Sequence, residues 1–203
     1  MFTGIITDVG RVTAVERRND VNRITIDSAY DASTIAIGAS IACAGVCLTV
    51  ISLDPQPDGR VRFDVEAAPE TLDLTDVGHW EPGKRINLER SLKLGDELGG
   101  HMVSGHVDGI ATIVSREDLG ETTRFVFEAP HRLAKFIATK GSVALDGTSL
   151  TVNWVEGDRF SVLLIPHTLT EDVTTWGTRK VGDPVHLEVD QMARYVARLT
   201  EAA

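Results

Sequence analysis

The sequence predicts an all-β protein built from two tandem copies of one small antiparallel barrel and completed by a C-terminal helix. Three observations lead there. The chain repeats itself at an offset of about a hundred residues, which decides architecture before any local reading. Short runs of alternating apolar and polar residues are punctuated by Gly, Pro, Asn and Asp, the pattern of strands and turns. The last segment alone carries apolar residues at helical spacing.

The repeat is legible anchor by anchor. Thr3-Gly4-Ile5-Ile6 returns as Ser104-Gly105-His106-Val107, and Arg23-Ile24-Thr25-Ile26 as Arg124-Phe125-Val126-Phe127. Ser40-Ile41-Ala42 followed by Gly45-Val46-Cys47-Leu48-Thr49-Val50 answers to Ser142-Val143-Ala144 followed by Gly147-Thr148-Ser149-Leu150-Thr151-Val152. Phe63-Asp64-Val65 with Pro69-Glu70-Thr71-Leu72 is echoed by Phe160-Ser161-Val162 with Pro166-His167-Thr168-Leu169, and Ile86-Asn87-Leu88-Glu89 by Val185-His186-Leu187-Glu188. Anchors that keep one order through both halves predict two copies of a domain, joined near residues 90–100.

Within each copy, runs such as Val61-Arg62-Phe63-Asp64-Val65 and Thr123-Arg124-Phe125-Val126-Phe127 read as half-buried strands. Several short strands in about a hundred residues favour a closed antiparallel barrel, because closure removes unpaired edges. Short helical pieces are expected at 31–35 and 130–139. From Gln191 onward, Met192, Tyr195, Val196 and Leu199 form one apolar stripe. Such a stripe must be buried, either on its own barrel or on a partner's helix.

Composition narrows the function classes. With 20 Lys+Arg against 30 Asp+Glu the net charge is −10, the wrong sign for a protein that neutralises phosphates, and aromatics at 5% are too few for base-stacking platforms. Nucleic acid is therefore not an expected partner. The stretch between Asp31 and Asp54 has no charge and about the length of a spanning helix, but it contains Gly38, Gly45, Ser33, Ser40, Thr34 and Thr49. Its counterpart in the second copy carries Asp146 at its centre, so no membrane span is expected. Two cysteines, Cys43 and Cys47, in no Cys-x-x-Cys arrangement, read as free thiols, and the N-terminus has no signal-like segment; both suit a cytoplasmic protein.

Small-molecule sites need a few well-placed polar groups among apolar ones. In the strands Cys47-Leu48-Thr49 and Ser149-Leu150-Thr151 the first and third side chains share a face and can line a wall. One copy alone would read as a core strand tolerant of small polar residues; its recurrence points to a duplicated pocket. The junction Gly99-Gly100-His101-Met102-Val103-Ser104-Gly105-His106 places two histidines in a glycine-dense run, and histidine exchanges protons best near neutral pH. No spacing matches a metal site, a dinucleotide or phosphate loop, or a nucleophile elbow.

These residues closely resemble the riboflavin synthase family of the alpha-chain type, built from two lumazine-binding repeats. The carriers are Met1-Phe2-Thr3-Gly4-Ile5-Ile6, Gly45 to Val50, Gly99 to His106, Asp146 to Val152 and Leu164-Ile165-Pro166-His167-Thr168-Leu169, together spanning nearly the whole chain. The resemblance implies two six-stranded Greek-key barrels at 1–97 and 98–189, then a trimerisation helix at 190–203. It implies a transferase that dismutates two molecules of 6,7-dimethyl-8-ribityllumazine. A four-carbon unit passes from donor to acceptor, giving riboflavin and 5-amino-6-(D-ribitylamino)uracil, with no cofactor or metal. It further implies a homotrimer with sites between subunits, and leaves open an association with lumazine synthase.

Carried over residue by residue, one pocket is expected to use Gly4, Ile5, Ile6, Cys47, Leu48, Thr49 and the strand Glu66, Ala67, Ala68, Pro69, Glu70, Thr71. The other is expected to use Gly105, His106, Val107, Lys140, Ser149, Leu150, Thr151, Leu163, Leu164, Ile165, Pro166, His167 and Thr168. Ser40, Cys47 and His101 are the catalytic candidates, with Phe2 stacking or gating at the mouth. Cys47 stands where the second copy has Ser149, so the first barrel is expected to host the chemically richer site. Val46, where some members have a second cysteine, and Cys43 read as core variation. The competing class is a non-catalytic lumazine- or flavin-binding antenna protein.

Overall fold

The computed structural model describes residues 1–201; the last two residues of the expected 190–203 segment lie outside the described residues. Strands β1 (Asp8–Arg17), β2 (Asn22–Ser28), β3 (Ser40–Cys43), β4 (Val46–Pro55), β5 (Val61–Ala67) and β6 (Arg85–Arg90) close a barrel in the order β1-β2-β5-β4-β3-β6. Strands β7 (Gly109–Leu119), β8 (Thr122–Glu128), β9 (Ser142–Leu145), β10 (Thr148–Glu156), β11 (Arg159–Leu164) and β12 (Pro184–Val189) close a second one. Read around the circle from β7, the second order is β7-β8-β11-β10-β9-β12, the same path.

The alternation seen in sequence is what fills the interiors. Ile24 and Ile26 on β2, and Val61, Phe63 and Val65 on β5, point inward while their neighbours face outward. Bulges interrupt the register after Val12 and Val50 in the first barrel and after Ile113 and Val152 in the second, supplying extra twist for closure at matching places.

Both expected helical pieces are present but short. Ala32–Thr34 is one 3-10 turn, capped by Asp31, whose carboxylate accepts from the Ser33 N–H at 2.8 Å. The other, α2, is His131–Ala134. The expected strand 66–71 is a correction: β5 ends at Ala67, and Pro69 opens helix α1 (Pro69–Leu74). Pro166 does the same for α3 (Pro166–Leu169). Proline cannot donate to a ladder but is pre-set for a first helical turn. Helix α4 (Gln191–Glu201) forms as predicted, tied to the second barrel by Arg194–Asp108 at 2.9 Å and Lys135–Glu201 at 2.6 Å. Its stripe is not buried on that barrel: Met192, Tyr195, Val196 and Leu199 are 68, 61, 62 and 73% exposed. No helix among the described residues is long and apolar enough to cross a membrane.

The barrels meet through reciprocal contacts, like the two sides of a twofold interface. Phe2 and Val103, equivalent positions in the repeat, bridge each other, with N–H to O distances of 2.7 and 3.1 Å. Around them Phe2, Ala42, Val103 and Ala144 form a small buried cluster. The β3–β4 and β9–β10 turns touch tip to tip: a Cβ on Gly45 would come within 2.6 Å of the Gly147 nitrogen. Below them Asn87 and His186, another equivalent pair, cross the seam in opposite directions. The Asn87 amide donates to the Asp146 carbonyl at 3.0 Å and accepts from the Thr175 N–H at 2.8 Å. His186 Nδ1 donates to the Ala44 carbonyl at 2.8 Å, and its Nε2 lies 2.8 Å from Asp76 Oδ1.

Candidate functional site

Strand β4 shows a buried Val46, Leu48 and Val50 and turns Cys47 and Thr49 outward. In register with it, β3 sets Ser40 opposite Thr49 and Ala42 opposite Cys47, so Ser40, Cys47 and Thr49 share one outer face. Over that face opens a cavity of about 280 Å³, bounded by Cys47, by Glu70, Thr71, Leu74 and Thr75 of helix α1 and its end, and by Gly105, His106 and Val107. The wall that closes this first-barrel pocket thus comes from the second repeat. The Cys47 N–H donates to the Gly105 carbonyl at 2.8 Å, and Val107 packs on the first barrel's core.

The mirror arrangement holds on the other side. The Ser149 N–H donates to the Gly4 carbonyl at 2.8 Å, and Ile6 reaches toward Gly147 of the second barrel. The expected grouping is therefore corrected: Gly4, Ile5 and Ile6 belong with Ser149, Leu150 and Thr151, and Gly105, His106 and Val107 belong with Cys47, Leu48 and Thr49. The reason is steric as well as topological. Gly4 and Gly105 sit at φ of 77° and 78°, and a Cβ on either would fall 2.5 Å from the Ser149 Cβ or 2.6 Å from the Cys47 Cβ. Only glycine lets each loop lie that close to the opposite barrel.

The histidine stands on this second side. His101 Nδ1 is 2.7 Å from Ser149 Oγ, and the His101 backbone N–H donates to the Thr3 carbonyl at 3.1 Å. Burial holds the imidazole below its ordinary value, against a smaller upward pull from the Asp190 charge, so the ring is neutral at neutral pH and can accept a proton. Cys47 and His101 do not form one constellation; each serves a different barrel.

Phe2 is a correction. It is 0% exposed in the seam cluster, so its ring lies between the barrels and not at a mouth; a fully apolar side chain is better buried there than held in water. Cys43 is buried, and burial together with the neighbouring Cys47 pushes its thiol up, leaving it an inert core residue.

Contiguous sequence ranges also overstate the lining. Leu48, Ala67 and Leu164 point into the cores, so these strands offer a ligand only their alternate residues. Leu163, Ile165, Pro166 and His167 are exposed at the end of β11 and on α3, with Thr168 half-buried. Glu66 is engaged in an ion-pair cluster with Arg18 and Arg23, at 3.5 and 3.8 Å, on the outer face of β5; Ala68 and Pro69 are exposed just beyond it. Lys140 is exposed at φ 68°, where the first copy has Gly38, and its N–H donates to Val152. A side chain held in that conformation costs energy that surroundings must offset, a feature that clusters at functional sites.

Sequence reasoning missed Leu74 and Thr75, which α1 and its end bring to the pocket beyond the expected Glu66–Thr71, and two buried glutamates. Glu89 accepts from Thr3 and Gly4, and Glu188 accepts from Ser104 and Gly105. Their recurrence at one repeat position was the available signal.

Comparison with known proteins agrees with this architecture. The lumazine binding domain family matches residues 3–91 and again 104–190. The riboflavin synthase of Brucella abortus is 59% identical over 201 residues, covering 99% of this chain and 98% of that one. The riboflavin synthase of Mycobacterium bovis is 44% identical over 208 residues and the full length of both. Among solved structures, LumP complexed with riboflavin superposes with a TM-score of 0.80 at 21% identity, covering 93% of this chain and 99% of that one, a likeness of fold.

Proposed function

The chain belongs to the riboflavin synthase family, each half a lumazine binding domain, and we propose from that premise how its two pockets divide the reaction. The activity is the dismutation of two molecules of 6,7-dimethyl-8-ribityllumazine to riboflavin and 5-amino-6-(D-ribitylamino)uracil. Each lumazine occupies one barrel's pocket. The observation that carries this reading is the reciprocity of the two sites, each a strand of one barrel walled by a glycine loop of the other repeat. Two like cradles suit a reaction whose partners are identical. Holding two rings face to face replaces a bimolecular encounter by a fixed geometry, worth up to roughly 7–11 kcal/mol.

The side chains then supply proton and nucleophile chemistry. The neutral His101, hydrogen-bonded to Ser149, accepts or returns a proton on the ligand in the second pocket. Cys47, partly exposed on the wall of the first pocket, acts as nucleophile or proton carrier, with Ser40 on the same face as a hydrogen-bonding group. The two ligands meet when the first-barrel pocket of one subunit faces the second-barrel pocket of another. The exposed stripe of α4 supports a homotrimer assembled through that helix.

Incubating the purified protein with the lumazine alone and following riboflavin absorbance tests the reading. Conversion is expected; binding without conversion would move the chain to the antenna class. Sedimentation analysis is expected to give a trimer that dissociates when the chain is ended at Asp190, and a stable trimer without the helix would overturn its assembly role.

A further inference from the structure

Each glycine loop that walls a pocket has two sides. One lies on the opposite barrel's strand; the other is gripped by a carboxylate of the loop's own barrel. Glu188 on β12 accepts from the N–H groups of Ser104 and Gly105 at 2.7 and 2.8 Å, and the Gly105 carbonyl in turn accepts from Cys47. Glu89 on β6 accepts from the Thr3 N–H and hydroxyl, both at 2.7 Å, and from the Gly4 N–H at 2.9 Å. The Gly4 carbonyl then accepts from Ser149, and the Thr3 carbonyl from His101.

Both carboxylates are buried, Glu89 at 4 and Glu188 at 3% exposure. A buried charge is tolerated only when its lone pairs are satisfied, so these oxygens dictate where the loop N–H groups sit. The loops themselves are short, and their other face is fixed by contact with Cys47 or Ser149. A displacement of a few tenths of an ångström at either glutamate therefore has nowhere to go except the opposite pocket.

We propose that Glu188 and Glu89 are positioning residues that act crosswise: Glu188, on the second barrel, sets the geometry of the Cys47 pocket on the first, and Glu89, on the first, sets the His101–Ser149 pocket on the second. This rests on the assignment of those pockets as the two lumazine sites. Both act through the loops they hold and not through the pocket walls formed by Cys47 and Ser149. The consequence is that neither barrel holds a complete site, and the two sites are coupled through the seam within one chain.

The test measures each pocket without turnover, in the full-length protein carrying Cys43→Ala so that a single thiol remains. One readout is the rate of Cys47 alkylation by iodoacetamide; the other is the NMR titration of the His101 ring, assigned by its loss in His101→Asn. Glu188→Gln is expected to change Cys47 alkylation several-fold and leave the His101 midpoint in place. Glu89→Gln is expected to shift the His101 midpoint and leave alkylation unchanged. A same-barrel pattern, equal effects on both pockets, or no effect on either would overturn the proposal.

Should either glutamine variant fail to fold, Glu188→Asp and Thr3→Val replace it. The first keeps the charge with a shorter reach, the second deletes the hydroxyl that donates to Glu89 and accepts from the Ile5 N–H, and both are expected to show the same crossed pattern in weaker form. An uncrossed result with lumazine conversion intact sinks the wiring alone. Loss of conversion in the unsubstituted protein sinks the functional reading and leaves the wiring standing.

Discussion

The two barrels follow one strand path with bulges at matching places, yet they are filled with different material. The first interior is mainly aliphatic, with Phe63 and Trp80 as its large rings. The second is built around Phe125, Phe127, Phe160 and Trp176, whose ring centroids lie 5.2 to 6.1 Å apart. A shared backbone therefore does not require a shared core, only inward-facing apolar residues of matching total volume. The same freedom shows at the functional positions. Cys47 answers to Ser149, His186 to Asn87 and Phe2 to Val103, so an arrangement that is symmetric in its main-chain contacts is asymmetric in its chemistry.

That asymmetry can be broken one pair at a time. The largest stability effect is expected at the seam. Phe2→Ala should cost about 3–5 kcal/mol in denaturant unfolding, because a fully buried ring leaves a cavity between the barrels. Val103→Ala, losing two methyl groups, should cost only about 1–2 kcal/mol. Near-equal costs would mean that the ring contributes nothing beyond its backbone bridge.

Next comes the pair at the pockets. Cys47→Ser is expected to lower kcat by roughly 10²-fold, or about 2.7 kcal/mol at the transition state. Ser149→Cys should change it only a few-fold, since the hydroxyl serves mainly as a partner of His101. Equal losses would remove the assignment of the richer chemistry to the first barrel. In the same assays the acid limb of kcat/KM should fall below the ordinary histidine value of about 6.5, because burial disfavours the charged His101 ring. A limb above that value would exclude His101 as the proton acceptor.

The smallest effect belongs to His186 and Asn87. Burial disfavours the His186 cation, but hydrogen bonding to Asp76 and the charges of Asp146 and Asp76 outweigh it and raise its value above the ordinary one. Lys84 at 2.7 Å also holds Asp76 ionised, and Arg179 balances Asp146. A histidine raised by folding adds stability that is full below its unfolded value, near 6.5, and is lost as pH rises through the higher folded value. Tm is therefore expected to decline above neutral pH. His186→Asn, which copies the other half of the pair, should flatten that slope; an unchanged slope would place the titration elsewhere.

Much of this molecule was legible in one dimension. The repeat anchors determined two copies of one domain, period-two runs in β2, β5 and β8 determined strands, and the 3.6-residue stripe of α4 determined a helix. That Cys47 and Thr49 share one face also followed from alternation; that the face points outward did not. These are consequences of local periodicity, which the order of residues carries directly. What the fold alone decided is which loop faces which strand. Gly4 lies in the first repeat and covers Ser149, Gly105 lies in the second and covers Cys47, and His101 joins Ser149 and not Cys47. Phe2 sank into the seam for the same cause. No periodicity encodes those partnerships, because they arise when two closed barrels bury their turns against each other, and contacts between surfaces distant in the chain depend on packing and not on spacing.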